Sequence, residues 1–422
     1  IDNDAIAEVA DPDGLTPTVS LGGPVSITAQ NGSLTNDATI EATAIAAKLS
    51  VSNASSRTSI NGSLGAAVAV NKIGLGAETI ILGEDDASNP GADDPEDIVV
   101  GDADASSITR AAISGVDVSS SAGAATLSAT SRADIDAVTV MAGVSVSNSS
   151  SGTSVNVSVD VSVAVNLTAS TVEAVIENGA LTVPGAVTLT ARDESTIKAD
   201  IVSATISATI SSGNSPSVGV NVTASVAVNE INDTTRAVVD NATVSGASFT
   251  AGASSTAEID VVAVAASVSV SVGGSFTLGG QGTGALAFNT IGNVIEAGAI
   301  NGSVVTTTSF ANIAASNAAT VDAKVVAASA NIAASTGSGA AVTLDVVLSI
   351  ADNTVTTETS ALIDNSKLTA GGDLSLMATA SGSVNVVAVA ASISVAASGS
   401  GVSAGLSVLV AQATSTVAGS VE

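Results

Sequence analysis

Cysteine, histidine, tryptophan and tyrosine are absent from the 422 residues, and only four phenylalanines and two methionines are present. Without thiols or imidazoles the chain has no disulfide framework, no Cys/His zinc or haem site, and no cysteine or histidine catalysis. Positive charge is scarce too: 10 Lys and Arg stand against 39 Asp and Glu, a net charge of −29. Nucleic acid and anionic membrane both select for Lys and Arg, so neither is expected as a partner. Charged residues are nevertheless only 12 % and apolar ones 45 %, which is too apolar for a disordered acidic tail.

Long hydrophobic runs are missing as well. The most apolar stretch, Val261 to Val272 (VVAVAASVSVSV), is interrupted by Ser and is too short to cross a bilayer as a helix. A membrane β-barrel would alternate in the same way, but its aromatic girdles cannot be supplied by four Phe. No membrane insertion is therefore expected. The chain starts at Ile1, which reads as a processed form or an excised piece.

What the chain does have is a repeat. An apolar residue, a mostly polar one and Ala or Val recur at Ile40-Glu-Ala42, Ile135-Asp-Ala137, Ile197-Lys-Ala199, Ile259-Asp-Val261, Val321-Asp-Ala323 and Val384-Asn-Val386, in steps of 95, 62, 62, 62 and 63. A second anchor, apolar-x-apolar-Asn, gives Asn71, Asn166, Asn229 and Asn289, in steps of 95, 63 and 60. Both anchors lengthen together in the first interval, which places one insertion there, over residues 75–108. Residues 1–422 thus form one continuous array of about six units of about 62 residues.

Within a unit the period is two. Val155 to Val165 reads VNVSVDVSVAV, and a strand places all its valines on one face. That face is expected to be the core, with Ser158 on the opposite, outward face. Gly/Ser punctuation such as SNSSSGTS and SSGNSPS separates long strands, and a shorter pair joined through Asn178-Gly179 and Pro184-Gly185 completes the unit. So short a unit, poor in large side chains, cannot stabilise itself alone, whereas stacked units bury a continuous core. The expected fold is all-β, a β-solenoid of stacked repeats; solenoid rungs and stacked hairpins both fit. Tandem β-sandwich repeats are the alternative, though the unit is short and the core Trp is missing.

Gly-Gly-Asp-Leu-Ser-Leu-Met-Ala (371–378), Gly-Ala-Val-Thr-Leu-Thr-Ala (185–191) and Gly-Gly-Pro-Val-Ser-Ile-Thr-Ala (22–29) resemble a turn-plus-strand unit of large repetitive bacterial surface proteins. These include filamentous-haemagglutinin-like adhesins and related giant β-helical exoproteins. The resemblance covers nearly the whole chain and implies a secreted, elongated, cell-surface molecule. It brings no catalytic residue with it.

Candidate sites are few. Glu84, Asp85, Asp86, Asp93, Asp94, Glu96 and Asp97, continued by Asp102 and Asp104, form an acidic run without Lys or Arg inside the insertion. Such a run can chelate Ca²⁺ through carboxylate and carbonyl oxygens, or it can simply hydrate an apolar fibre. No other cofactor is expected. The recurring Asn71, Asn166, Asn229 and Asn289 could hydrogen-bond along the stack as a ladder, interrupted in the fifth copy, where Ala351-Asp352-Asn353 takes the place. Ten Asn-x-Ser/Thr sequons are present, as chance would supply in so Asn- and Ser-rich a chain. Paired acids such as Asp193 and Glu194 read as polar turn residues rather than as a glycosidase pair. No set of acid, base and nucleophile converges, so the chain is not expected to be an enzyme; a polysaccharide-active β-helix is the remote alternative.

The composition and the resemblance together point to a structural segment of an extracellular fibre or cell-surface adhesin. A calcium-dependent coat or matrix protein is the alternative. A glycan or host surface is a conceivable target that the residues do not specify. The chain end, Val421-Glu422, aligns with Ile176-Glu177 if Ala411 takes the ladder position, and the two ends are then nearly in phase. The expected partner is therefore another copy, stacked head to tail into a filament.

Overall fold

The computed structural model describes residues 4–11, 17–31, 38–55, 58–74 and 107–422. It is an all-β solenoid with parallel strands; no helix occurs among the described residues. One coil shows the plan. Ala125–Ser149, 25 residues long, forms a rung of the front sheet. A Gly/Ser tip reverses the chain into Ser154–Thr168 of the back sheet, which continues as Ser170–Glu177. A corner then leads through the short strand Ala180–Thr182 to the next front rung, Val187–Ser211.

Every rung pairs in parallel with its counterpart one coil away. Val187 to Ser211 stand in register on Ala125 to Ser149 without a break. Ser154 to Thr168 lie in the same way against Ser217 to Ile231. The long strands are thus rungs of successive coils and not hairpins. Asn178, Asn241, Asn301 and Asn365 all have φ between 46° and 56° at the corner, and Gly115 (φ 66°) holds the same place one coil earlier. This left-handed conformation is one that Asn and Gly adopt at little steric cost. The turn chemistry is therefore set once per coil.

The interior is zoned along the strand. Nearest the corner lies an apolar cluster containing Ile113, Leu127, Ile176, Leu181, Val244 and Phe249. Next comes a polar level with Ser131, Asp193, Ser255 and Asn317 on successive front rungs. A second apolar cluster holds the anchor residues Ile135, Ile197, Ile259 and Val321. Beyond it, toward the tip, front and back sheets face each other through polar side chains; this part is called the blade below. Ser145, Ser147, Ser154, Asn156, Ser158, Asp160 and Ser162 are all buried.

The valines therefore point the other way from the sequence expectation. Ser158 is 0 % exposed, whereas Val157 is 40 % exposed and its odd-numbered neighbours share the outward face. Small hydroxyl and amide side chains let the two sheets approach closely and bond across the gap. The branched side chains of Val pack instead against the same residues of adjacent coils along the ladder. The insertion also ends earlier than the spacing implied, since Ser107 and Ile108 already belong to the strand Ser107–Ser114.

Opposite effects should follow at neighbouring positions. Ser158→Asp adds a second carboxylate beside Asp160 in a closed space and should destabilise by about 3 kcal/mol or more. Val159→Asp, on the outer face, should cost less than about 1 kcal/mol. Urea denaturation monitored by far-UV circular dichroism separates the two; equal losses would refute the face assignment.

Candidate functional site

The chemistry of the described residues is concentrated in three polar features that run along the solenoid axis. The first is the asparagine ladder. Asn71 Nδ2 donates to Asn166 Oδ1 at 2.7 Å, Asn166 to Asn229 at 2.8 Å, and Asn229 to Asn289 at 2.8 Å. Asn289 then donates to Asn353 Oδ1 at 2.7 Å. The fifth copy is thus no interruption, because a spacing of 64 residues brings Asn353 into register. Asn353 closes the ladder on Thr414 O at 3.3 Å. Its partner one coil on is Ser415 and not Ala411, so Val421-Glu422 stands four residues earlier in the coil than the sequence alignment placed it. Each amide gives and accepts one bond along the row, so one residue type serves every coil.

The second feature fills the blade. Ser145 Oγ donates to Asn156 Oδ1 at 2.6 Å, and Asn156 Nδ2 donates to Ser207 Oγ at 2.8 Å in the next coil. At one level sits an ion pair: Lys48 Nζ lies 2.6 Å from Asp160 Oδ1, with Asp160 fully buried. Thr205 Oγ1 donates to the other carboxylate oxygen at 2.7 Å, and Lys48 also reaches Ser158 Oγ and Val159 O. Gly143 makes room for the pair, since a Cβ there would stand 2.0 Å from Asp160 Oδ2. Four sequon asparagines, Asn61, Asn156, Asn166 and Asn221, are buried here or in the ladder, out of reach of glycosylation.

Removing one partner of a buried pair leaves an uncompensated charge. Lys48→Met should therefore destabilise by about 3–5 kcal/mol, and Asp160→Asn added to it should restore most of the loss. A double-mutant cycle in urea measures the coupling; additive losses would show that the pair is not coupled.

The third feature is a pair of carboxylates between the two apolar clusters. Asp193 and Asp233 are both at or below 1 % exposure. Ser170 Oγ donates to Asp193 Oδ1 at 3.1 Å, Ser195 Oγ to Asp193 Oδ2 at 3.3 Å, and the Ser170 amide to Asp233 Oδ1 at 2.8 Å. Burial pushes the Asp193 carboxyl well above the usual carboxylate range, and the neighbouring Asp233 pushes it further. Burial raises Asp233 also. Asp193 is therefore a strand residue facing inward and not a turn residue, while Glu194 points outward to Arg132 and Arg192. Two acids sharing a site can do proton chemistry, but this pair is enclosed and presents nothing to a substrate.

Raised carboxyl values mean that the folded state holds protons the unfolded chain has released. The stability so conferred is complete at low pH and is lost as pH rises through the raised folded values. Asp193→Asn should lessen that decline, Asp233 keeping its own share, and leave the variant about 1–2 kcal/mol more stable than the parent at pH 8 and no better at pH 4. Thermal melts across pH test this; parallel pH profiles would exclude the pair as the cause.

On the outer surface a ladder of alternating sign crosses the coils. Arg110 bonds Glu173 at 2.6 Å and Glu177 at 2.7 Å, and Arg236 bridges Glu173 at 3.2 Å and Glu296 at 2.7 Å. Neither this ladder nor the acid pair was read from the sequence; the alternation Arg, Glu, Arg, Glu at one repeat position was the available signal. A shallow groove on the front sheet, lined by residues including Glu41, Arg132, Asp136, Lys198 and Glu258, carries charges of both signs. No group of three or more acidic side chains able to hold a metal occurs among the described residues. Glu84, Asp85, Asp86, Asp93, Asp94, Glu96 and Asp97 lie outside them. No family model, curated protein or solved structure matches the chain.

Proposed function

We propose that the chain is a structural segment of an extracellular fibre or cell-surface adhesin, a stiff rod that lengthens by stacking coil on coil. The observation that carries this reading is the axial continuity of the asparagine ladder and of the 25-residue front rungs. Among the described residues the interior chemistry runs along the stack, and none of it converges on an open cleft. The end coils offer the same parallel edges that join the coils between them. Among the described residues Leu374–Ser398 pairs on one side only, with Ala311–Ser335, and Ala38–Ala54 pairs only with Ala125–Ser149. A second copy laid on such an edge repeats a contact that the chain already makes within itself, a heterologous contact that does not close. The absence of cysteine and the high net negative charge suit an exposed, hydrated fibre.

Six coils at the spacing of adjacent strands, about 4.8 Å, make an axial length near 29 Å per chain. Negative-stain electron microscopy of the purified chain should show rods whose lengths are multiples of that value and grow with concentration. A monomer that stays monodisperse at high concentration would overturn the stacking. Growth that stops on addition of chelator would assign residues 84–97 to a calcium-dependent form of the assembly.

A further inference from the structure

The blade is apolar outside and polar inside, on both of its faces. Over Val138 to Val146 on the front the outward positions are Val with a single Ala, Ala142, and over Val155 to Val165 on the back they are all Val. Neighbouring coils repeat the pattern, with Leu64 at 77 % and Ile206 at 55 % exposure, except the back rung Thr277–Ile300, whose outward positions include Gly280, Gly282 and Gly284. Nine and eleven residues at about 3.3 Å each make a band of about 30–36 Å. That is the thickness of the hydrocarbon core of a bilayer, which a β-strand crosses in about 9–11 residues.

The band has the same limits on both faces. On its corner side outward charges stand at two successive levels: in front Glu41, Asp136, Lys198, Asp260 and Asp322 share one row, with Asp200 and Lys324 one outward position nearer the tip, level with Val138; behind, Lys72 and Glu230 share a row, with Asp352 level with Val165. On its other side are the polar tips, such as residues 148–154. Between these limits the buried charges face inward, Lys48 paired with Asp160 and Asp345 hydrogen-bonded by Asn331 and Ser392. This is the pattern of membrane-spanning strands, apolar outward and polar inward, with ionisable groups turned away from lipid. The row of charges and the Gly/Ser tips stand where aromatic girdles would otherwise mark the interfaces.

A second copy packed against either face is the competing occupant. On the front it would bring the row Glu41, Asp136, Lys198, Asp260 and Asp322, four acids to one base, against its own copy, and like charges oppose that contact. Lipid headgroups and water impose no such penalty.

We propose that the blade enters the hydrocarbon core of a lipid bilayer tip first. The solenoid axis lies in the membrane plane, with the charge rows at headgroup level and the corner outside. Coil-to-coil pairing satisfies the backbone within the stack, as hydrocarbon requires. For the end coils this rests on the stacking proposed above, which supplies partners for their edges.

The test is flotation of the full chain with vesicles of pure phosphatidylcholine. The parent should float with the vesicles, and no better when anionic lipid is added. The triple variant Val157→Asp, Val226→Asp, Val346→Asp, placed on separate coils within the band, should lose at least tenfold in bound fraction. Thr126→Asp, Thr190→Asp, Thr256→Asp adds the same charge outside the band and should bind as the parent does. Circular dichroism and melting temperature of both variants verify folding. If the band triple fails to fold, the same positions changed to Ser provide the second variant, with a smaller loss expected. A parent that stays with the unbound protein, or a folded band triple that floats like the parent, would overturn the proposal. So would lipid-free dimerisation in sedimentation equilibrium that the band triple abolishes, if flotation is absent. Rods in the microscope without flotation would sink the lipid reading and leave the stacking intact. Flotation of particles that never form rods would do the reverse.

Discussion

Each rung finds its hydrogen-bond partners in the rung of the next coil, at an unchanged register, so most side chains stand about 4.8 Å from their own counterpart. Like then meets like along the axis, and only certain side chains tolerate that. Asn does, because its amide both donates and accepts, and the row from Asn71 to Asn353 uses both capacities. Val, Ile and Ala do, through packing. Equal charges at this spacing repel, and the like-charged neighbours that do occur, Asp260 with Asp322 and Glu41 with Asp136, lie on the outer face. The outer row accordingly alternates Arg110, Glu173, Arg236 and Glu296, each basic group being held between acids.

The same constraint explains why the interior is not uniformly apolar. The corner needs bulk to fill a three-sided space, and Leu127, Leu181 and Phe249 provide it. In the blade two sheets face each other directly, and short hydroxyl side chains allow a narrow gap bridged by hydrogen bonds. The satisfaction is incomplete: the amide of Asn221 and the hydroxyls of Thr209, Ser269 and Ser271 reach no protein partner. Buried groups left in that condition reduce stability, so the blade contributes less to folding than the two apolar clusters do.

Much of this was legible in the sequence, and the part that was not has a physical cause. The repeat length, the strand period and the stacking of the repeats follow from the sequence, the first from the spacing of Ile135, Ile197 and Ile259, whereas rungs and hairpins were both compatible with it. Which face of an alternating strand is buried does not follow from alternation, because period two supplies two faces and hydrophobicity alone chose the valines. Parity held the answer. Asn166 in a closed axial ladder puts every even-numbered residue back to Asn156 on the buried side, and therefore the valines outside. The same reasoning from Ile197 and Ala191 turns Asp193 and Ser195 inward, where composition had suggested a turn. Asn353 was misread for another reason: Asp352 stands where the anchor pattern has an apolar residue, and the break in pattern was taken for a break in the ladder.

Polar groups inside the stack also decide its register. Rows of Val and Ala on neighbouring rungs would accept a slip of two residues with little loss, since such a slip keeps each side chain on its own face. The ladder does not accept it. A slip of two would set Asn166 beside Ala227 or Ile231 in place of Asn229, stranding buried amides at every coil. It would likewise carry Asp160 away from Thr205 and Lys48. A buried polar set that contributes little net stability can thus exclude the competing alignments that an apolar interior would leave open. In a molecule built by laying similar coils on one another, that discrimination matters more than the depth of any single contact.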